Sequence, residues 1–266
     1  MTIWQADFYR SSSSSPEEGI IGTLVLCDRQ GRLIYEATCP RGGVVKDWSI
    51  GQFRKIPEPH PERLQIFRPQ CASLLKSIEE ELGIPIETTR HTSALKQLLK
   101  QRGNSIELEK PPPQPLPDRL WGERWRFASL PAGEVVREFC DRPIPILDIP
   151  EEFEPRQRGL SSSLLVPGII IEGGRQAMSL ARWVQEVQPY ALDYIPAELG
   201  RSGGIILEAG LSDRWVFQTF DDPEVARAAR EYQQRLYRSQ GLHFLLIQPD
   251  GGNANFTGYW LLLNEE

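Results

Sequence analysis

The stretch "RLQIFRPQCASLLKSIEEELGIPIETT", residues 63 to 89, reads as strand, helix, strand. Cys71, Leu74, Leu75, Ile78 and Leu82 recur at helical spacing, Pro69 suits a first turn, and Gly83 suits the C-terminal cap. A helix bracketed by two short β-rich runs points to an α/β layer fold. The neighbouring text agrees. Upstream, "GTLVLCDRQGRLIYEATC", residues 22 to 39, places two β-rich runs around Asp28-Arg29-Gln30-Gly31, a hairpin in which Gly31 can take positive φ. Downstream, "HTSALKQLLKQRG" gives a second helix, capped by Thr92 or Ser93, with Leu95, Leu98 and Leu99 inward and Gly103 as terminator.

The text changes at Glu109. Five prolines between 111 and 117 exclude helix and central strand, so this stretch reads as a semi-rigid linker, and "RPIPILDIPEEFEPRQRGLSSS" as irregular chain wrapping a surface. The expected organisation is an N-terminal α/β domain over 1–108, a proline-rich linker and wrapping segment over 109–163, and a C-terminal α/β domain over 164–266. The second domain offers a buried-type strand, the pair Gly173-Gly174, and a helix with Ala177, Leu180, Ala181, Val184 and Val187 on one side. Strands at 204–209 and 214–220 follow, then a helix from Pro223 to Gln240 capped by Asp221 or Asp222, then "HFLLIQP" and "TGYWLLL". On that helix Val225, Ala228, Ala229, Tyr232 and Leu236 form the expected inward stripe. The fold class is therefore α/β of the mixed kind (α+β), two domains with a mixed sheet flanked by helices in each. "GIIIEGGRQAMSLARWVQEVQPYALDYIP" repeats the strand, Arg-plus-Gln turn, helix, strand order of residues 64–89, which admits an old duplication.

With 266 residues, 40% of them hydrophobic, the chain can bury a sizeable core. No apolar run approaches the ~20 residues of a membrane span, and "MTIWQADFYR" lacks the features of a signal peptide, so a soluble, non-secreted protein is expected. Cys27, Cys39, Cys71 and Cys140 are scattered without metal or redox spacing, and only three histidines accompany them, so reduced thiols and no metal site are expected. A net charge of −6 argues against coating nucleic acid by charge alone. Six of the 30 basic residues are lysine, which leaves 24 arginines, side chains suited to stacking and to phosphate.

Several places admit a functional and a structural reading. Arg214-Trp215 could sandwich a base at a sheet edge, or follow a plain "GLSD" hairpin turn. Gly173-Gly174-Arg175 could cradle a phosphate at a helix N-terminus, or form a tight strand-to-helix turn, since the P-loop and dinucleotide-binding spacings are both missing. Residues 83 to 104 hold Arg90, Lys96, Lys100 and Arg102 against Glu87, a local net of +3, which is a nucleic-acid footprint or a solvated helix face. Trp260-Leu261-Leu262 reads first as core packing of a final strand. A metal-dependent nuclease is the rival class, but no lysine follows Lys110 and no strand pairs an acid closely with a lysine. G-x-S-x-G is absent, and the serine run at 11 to 15 looks like a flexible loop.

Taken in order, "WQADFYR", "LVLCDRQGRLIYEATCP", "IFRPQ", "ELGIPIETTRHTSALKQLLKQR", "WRFASLP", "RPIPILDIPEEFEP", "IIIEGGRQAMSLARW", the run from Leu207 to Asp250 and "GYWLLL" resemble the ATAB/TAB family of chloroplast RNA-binding translation factors and their cyanobacterial relatives. The resemblance implies an A/U-rich RNA partner, such as a messenger leader, and a role in photosystem biogenesis without catalysis or cofactor. Translation machinery or photosystem assembly proteins are the further partners it suggests, the rival being a protein assembly factor. It also marks Trp260, Leu261 and Leu262 as a functional C-terminal motif. The expected location is the cytoplasm of a cyanobacterium, or the chloroplast stroma for a mature form. Arg68, Arg90, His91, Lys96, Lys100, Arg175, Arg214 and Trp215 are the candidate RNA contacts, through phosphate binding and base stacking.

Overall fold

The computed structural model describes residues 2–9, 20–40, 45–104, 106, 110–252 and 255–265. The serine run at 11–15 and residues 253 and 254 of the Gly/Asn-rich turn lie outside them. The chain divides into two compact units, residues 1–109 and 110–266.

The N-terminal unit is built on one mixed sheet. Strands β1 (Ile3–Tyr9), β2 (Ile20–Asp28) and β3 (Leu33–Pro40) form an antiparallel meander. β4 (Arg63–Ile66) joins β1 in parallel and β5 (Ile86–Thr88) joins β4 in parallel, for a strand order β3-β2-β1-β4-β5. The hairpin turn forms as its sequence suggests: Asp28 Oδ1 accepts the amides of Gln30 and Arg32, and Gly31 sits at φ +81. Helix α1 (Val45–Phe53) and helix α2 (Pro69–Leu82) pack on the sheet face carrying Trp4, Ala6, Leu24, Leu26, Leu64 and Ile66. Helix α3 (Ser93–Gln101) covers the other face, where Leu95 and Leu99 meet Val25, Cys27 and Phe67. The strand period of two sends Gln5, Asp7 and Gln65 to this same face, the polar members of the β1 and β4 alternation. They need hydrogen-bond partners there, and Gln5 finds Gln65 and the backbone of His91 and Leu95.

The C-terminal unit holds two sheets. The larger has the order β7-β9-β13-β14-β8, made from β7 (Arg124–Pro131), β8 (Ile146–Asp148), β9 (Leu165–Glu172), β13 (Leu242–Gln248) and β14 (Gly258–Leu263). The smaller has the order β10-β11-β12-β6, from β6 (Gln114–Pro115), β10 (Pro189–Glu198), β11 (Ser202–Ala209) and β12 (Asp213–Asp221). One core cluster joins both sheets with helix α5 (Ala177–Val187) and helix α6 (Pro223–Arg238), and Trp260, Leu245, Leu192, Leu180 and Tyr232 all belong to it. A second cluster lies on the opposite face of the larger sheet, where Phe244, Tyr259 and Leu261 meet Val135, Phe139 and Phe153. Both faces of β13 and β14 are thus covered, which is why these strands read as unbroken apolar runs. At α6 the cap is Asp222, whose carboxylate accepts the amides of Glu224 and Val225.

Two expectations need correction. Residues 109–163 are more than linker and wrapping: they supply the short strand β6 and both edge strands, β7 and β8, of the larger sheet, with the helix α4 (Arg137–Cys140) between. The first proline cluster ends at Pro117 and residues 124–130 hold none, so that backbone is free to pair, and it does so antiparallel to β9. The duplication also fails as architecture. β4 and β5 are neighbours in one sheet around α2, whereas β9 and β10 lie in different sheets around α5, so the shared order of elements is not a shared unit.

Candidate nucleic-acid interface

Of the candidate basic positions of the N-terminal unit, Arg90 and Lys96 are drawn inward. Thr92, Leu95, Lys96 and Leu99 share one helical stripe, and that stripe faces the sheet, leaving Lys96 8% exposed. Its ammonium donates to the Arg90 carbonyl at 2.7 Å and stands 5.8 Å from the centre of the Phe67 ring. Arg90 is 3% exposed. Arg68 lies over the same ring at 4.9 Å, and its Nε donates to Asp7 Oδ2 at 3.1 Å. Cys71 Sγ donates to Asp7 Oδ1 at 3.1 Å. Burial pushes the Asp7 carboxyl above the ordinary carboxylate range, although the Arg68 guanidinium and the thiol pull the other way. Burial, aided by Asp7, raises the Cys71 thiol as well. His91 is half-buried, and its backbone takes part in the Gln5 and Thr89 hydrogen bonds. Arg102 donates to Glu36 at 2.7 Å. Of the basic run at 90–102, only Lys100 is left exposed without such an anchor. These residues therefore form neither a continuous basic patch nor an ordinary solvated face.

In the C-terminal unit the turn at 210–213 leads to a buried ion pair. Arg214 faces Glu208 across the β11–β12 ladder, and Nε donates to Glu208 Oε1 at 2.7 Å. Nη1 donates to the Pro111 carbonyl at 3.0 Å. Trp215 packs edge-on against Trp183, with centroids 5.3 Å apart. This guanidinium and indole are occupied in tying the proline-rich segment and α5 to the smaller sheet. Arg175 is exposed on the single 3-10 turn over Gly174–Gln176. The amides of Gly173 and Gly174 already donate to the carbonyls of Gln248 and Pro249, so the glycine pair has no free donors for a phosphate. Trp260, Leu261 and Leu262 are 1%, 1% and 3% exposed and alternate between the two cores. The Trp260 ring lies against Gly258 so closely that a Cβ there would come within 2.5 Å of it.

One open surface was not singled out from the sequence. Trp125 and Phe127 on β7, Phe220 at the end of β12, and Val225 and Ala228 on α6 line a groove of about 380 Å³, with Arg126 and Glu224 at its sides. The rings form a train: Phe220 stacks on Tyr194 at 5.9 Å, Trp125 lies 6.0 Å from Phe220 and 5.2 Å from Phe127, and Phe127 lies 5.3 Å from Tyr232. Tyr194 and Tyr232 are buried, while the three rings between them are half-exposed. The charged residues that line the groove, Arg126 and Glu224, balance, but the elements flanking it are basic within a chain of net charge −6. β7 and α6 carry Arg124, Arg126, Arg227, Arg230, Arg235 and Arg238 against Glu224 and Glu231, a net of +4. Arg126, Arg227 and Glu224 make no side-chain ion pair or hydrogen bond among the described residues. The signals were present in the sequence: Arg-Trp-Arg-Phe alternates at strand period, and Val225 and Ala228 sit on the apolar stripe of α6.

No group of three or more His, Cys, Asp or Glu side chains is arranged to hold a metal ion among the described residues. No helix of the described residues is long and apolar enough to cross a membrane.

Two family models account for nearly the whole chain. Residues 3–102 match the N-terminal model, and residues 103–263 the C-terminal domain model, of the RNA-binding protein Tab2/Atab2. The chain belongs to the Tab2/Atab2 family of RNA-binding proteins. Curated Tab2/Atab2 relatives include the chloroplastic TAB2 homolog of Arabidopsis thaliana, 24% identical over 98% of this chain and 74% of its own length. The chloroplastic TAB2 homolog of Zea mays is 26% identical over 98% of this chain and 71% of its own. No solved structure matches. The division between the two Tab2/Atab2 models falls just after α3, close to the division between the compact units.

Proposed function

We propose that this protein binds single-stranded, A/U-rich RNA without catalysis and acts in the translation or biogenesis of photosystem components. The observation that carries the reading is the match of both units to models of one RNA-binding family. Half-exposed aromatic rings beside arginines suit unpaired bases, whose faces stack on rings while the phosphates meet guanidinium groups. The relatives are described as chloroplastic, which favours a photosynthetic setting, the stroma or a cyanobacterial cytoplasm. Messenger leaders are the expected targets, with translation or assembly proteins as further partners.

The test is a filter-binding titration with labelled single strands of A/U-rich and G/C-rich sequence at moderate salt. The reading expects tighter binding to the A/U-rich strand; equal binding would remove the base preference, and no binding would remove the RNA reading. A parallel incubation with Mg²⁺ should leave the RNA intact. Metal-dependent cleavage that disappears on substitution of a carboxylate, in a variant that keeps its unfolding profile, would make the protein an enzyme.

A further inference from the structure

We propose that the groove between β7 and α6 is a base-stacking subsite for single-stranded RNA, in which unpaired bases lie on Trp125, Phe127 and Phe220 while Arg126 and Arg227 meet the adjoining phosphates. The inference rests on the reading that this protein binds single-stranded RNA, and assigns that binding to one place.

Four observations converge there. A soluble domain ordinarily covers its large rings, yet here three successive rings of a five-ring train are left half-open beside two apolar helix residues. The volume, about 380 Å³, falls in the range of roughly 300 to 1,000 Å³ common to small-ligand clefts, enough for a planar base. The flanking elements favour a polyanion, since β7 and α6 are net +4 within a chain of −6, and although Arg124 is paired to Glu172 and Arg235 to Glu231, Arg126 lines the groove and Arg227 is exposed on α6. The groove also runs beside β7, an edge strand, so an extended strand of nucleic acid can follow the rings of Trp125 and Phe127 along one face of it, with Arg126 at the margin. Charges on an edge strand also deter pairing with another chain, but that role does not call for open aromatic rings beside them. Glu224, at the end of the groove, supplies an acceptor for the amino or imino hydrogens on a base edge. The sequence-level candidates do not form a comparable place: Arg90 and Lys96 are buried, and Arg214 and Trp215 are engaged in packing.

The experiment uses the full chain and a short oligouridylate carrying 4-thiouridine. Photocrosslinking of the unaltered protein, followed by peptide mapping, should place crosslinks on Trp125, Phe127 or Phe220. Arg126→Ala combined with Arg227→Ala touches only exposed side chains; it should weaken binding and lower the slope of log affinity against log salt by about 0.7 per arginine. Trp125→Phe should retain affinity, while Trp125→Leu should lose about tenfold or more. Urea unfolding of each variant separates lost binding from lost fold. If the unaltered protein fails to bind the oligomer, the RNA reading itself falls. If it binds, but crosslinks map only elsewhere and the arginine pair leaves the salt slope unchanged, the subsite falls while the RNA reading stands. Capture of an extended peptide along β7, with RNA binding intact in the groove variants, would overturn it in favour of strand addition.

Discussion

His243 shows how much one side chain can fix. It is fully buried; Nε2 accepts the Leu192 amide at 2.9 Å, so Nδ1 carries the proton and donates to the Gly241 carbonyl at 2.8 Å. Because Leu192 is on β10 and His243 on β13, this neutral ring clips the two sheets of the C-terminal unit together. Tyr232 stands edge-on to it at 6.5 Å and donates to the Leu192 carbonyl. Burial lowers the His243 pKa from 6.5 to about 4. The unfolded chain therefore takes up a proton below pH 6.5 that the folded chain refuses until about pH 4, so protons favour unfolding. Its contribution is whole above about pH 7 and declines as pH falls toward 4, by about 3 kcal/mol in total. Urea unfolding between pH 7 and 4.5 should show a steeper loss for the unaltered protein than for His243→Gln; parallel pH profiles would remove this role. Single residues were also where the sequence was hardest to read. Lys96 was legible as buried, because it shares the helical stripe of Leu95 and Leu99, but a count of charges along α3 conceals which face each charge is on. Arg68 meets Asp7 only because β1 and β4 pair, a contact between residues 61 apart in sequence.

At the scale of elements, local pattern carried most of the reading. Helices α2, α3, α5 and α6 lie where periodicity and caps put them, because a helix is specified by contacts three and four residues apart. Sheet membership is not local, which is why the strand–helix–strand order around α5 admitted a duplication of the unit around α2 although β10 belongs to the smaller sheet, and why proline-rich text hid β7. The groove was illegible for the same reason: its rings come from β7 and β12 and its apolar wall from α6, elements that no local pattern places together. The tether at β6 yields a prediction of its own. Arg214 joins Glu208 to the Pro111 carbonyl, holding β6 beside Trp215. Lysine has no planar fork with which to make both contacts, so Arg214→Lys should lower unfolding stability by about 1 to 3 kcal/mol. RNA affinity per folded molecule should not change. Retained stability with weakened RNA binding would return Arg214 to the interface.

For the molecule as a whole, each unit has cores of its own; among the described residues, the clusters around Ile66 and Phe67 are built from the N-terminal unit. The Trp-Leu-Leu motif belongs to the C-terminal unit, where Trp260 packs toward one core and Leu261 toward the other. Trp260→Ala should therefore cost about 3 to 5 kcal/mol, through lost burial and the void beside Gly258. Hydrogen exchange should show lost amide protection in β13 and β14, with α2 and β4 unchanged. Loss spreading equally into the N-terminal unit would show that the two stabilities are not separate. A variant of this motif that loses RNA binding therefore has to be checked for folding before the tryptophan is assigned a contact.

The position of β14 also has a meaning for how the protein is made. This strand comes last in the fold, yet it lies inside its sheet, between β13 and β8, and fills both cores at once. While a ribosome is still translating residues 110 to 257, β8 has no neighbour to pair with, one edge of β13 is unpaired, and both cores lack the side chains of Trp260, Leu261 and Leu262. The N-terminal unit, by contrast, has all the strands of its described residues once residue 88 has emerged. Synthesis thus delivers a foldable first half early, followed by a long interval in which the second half exposes apolar surface, ended only when Gly258 to Leu263 clear the exit tunnel. That interval is when nascent-chain chaperones would be needed, and a chain cut short before Gly258 would hold one sound unit and one that aggregates.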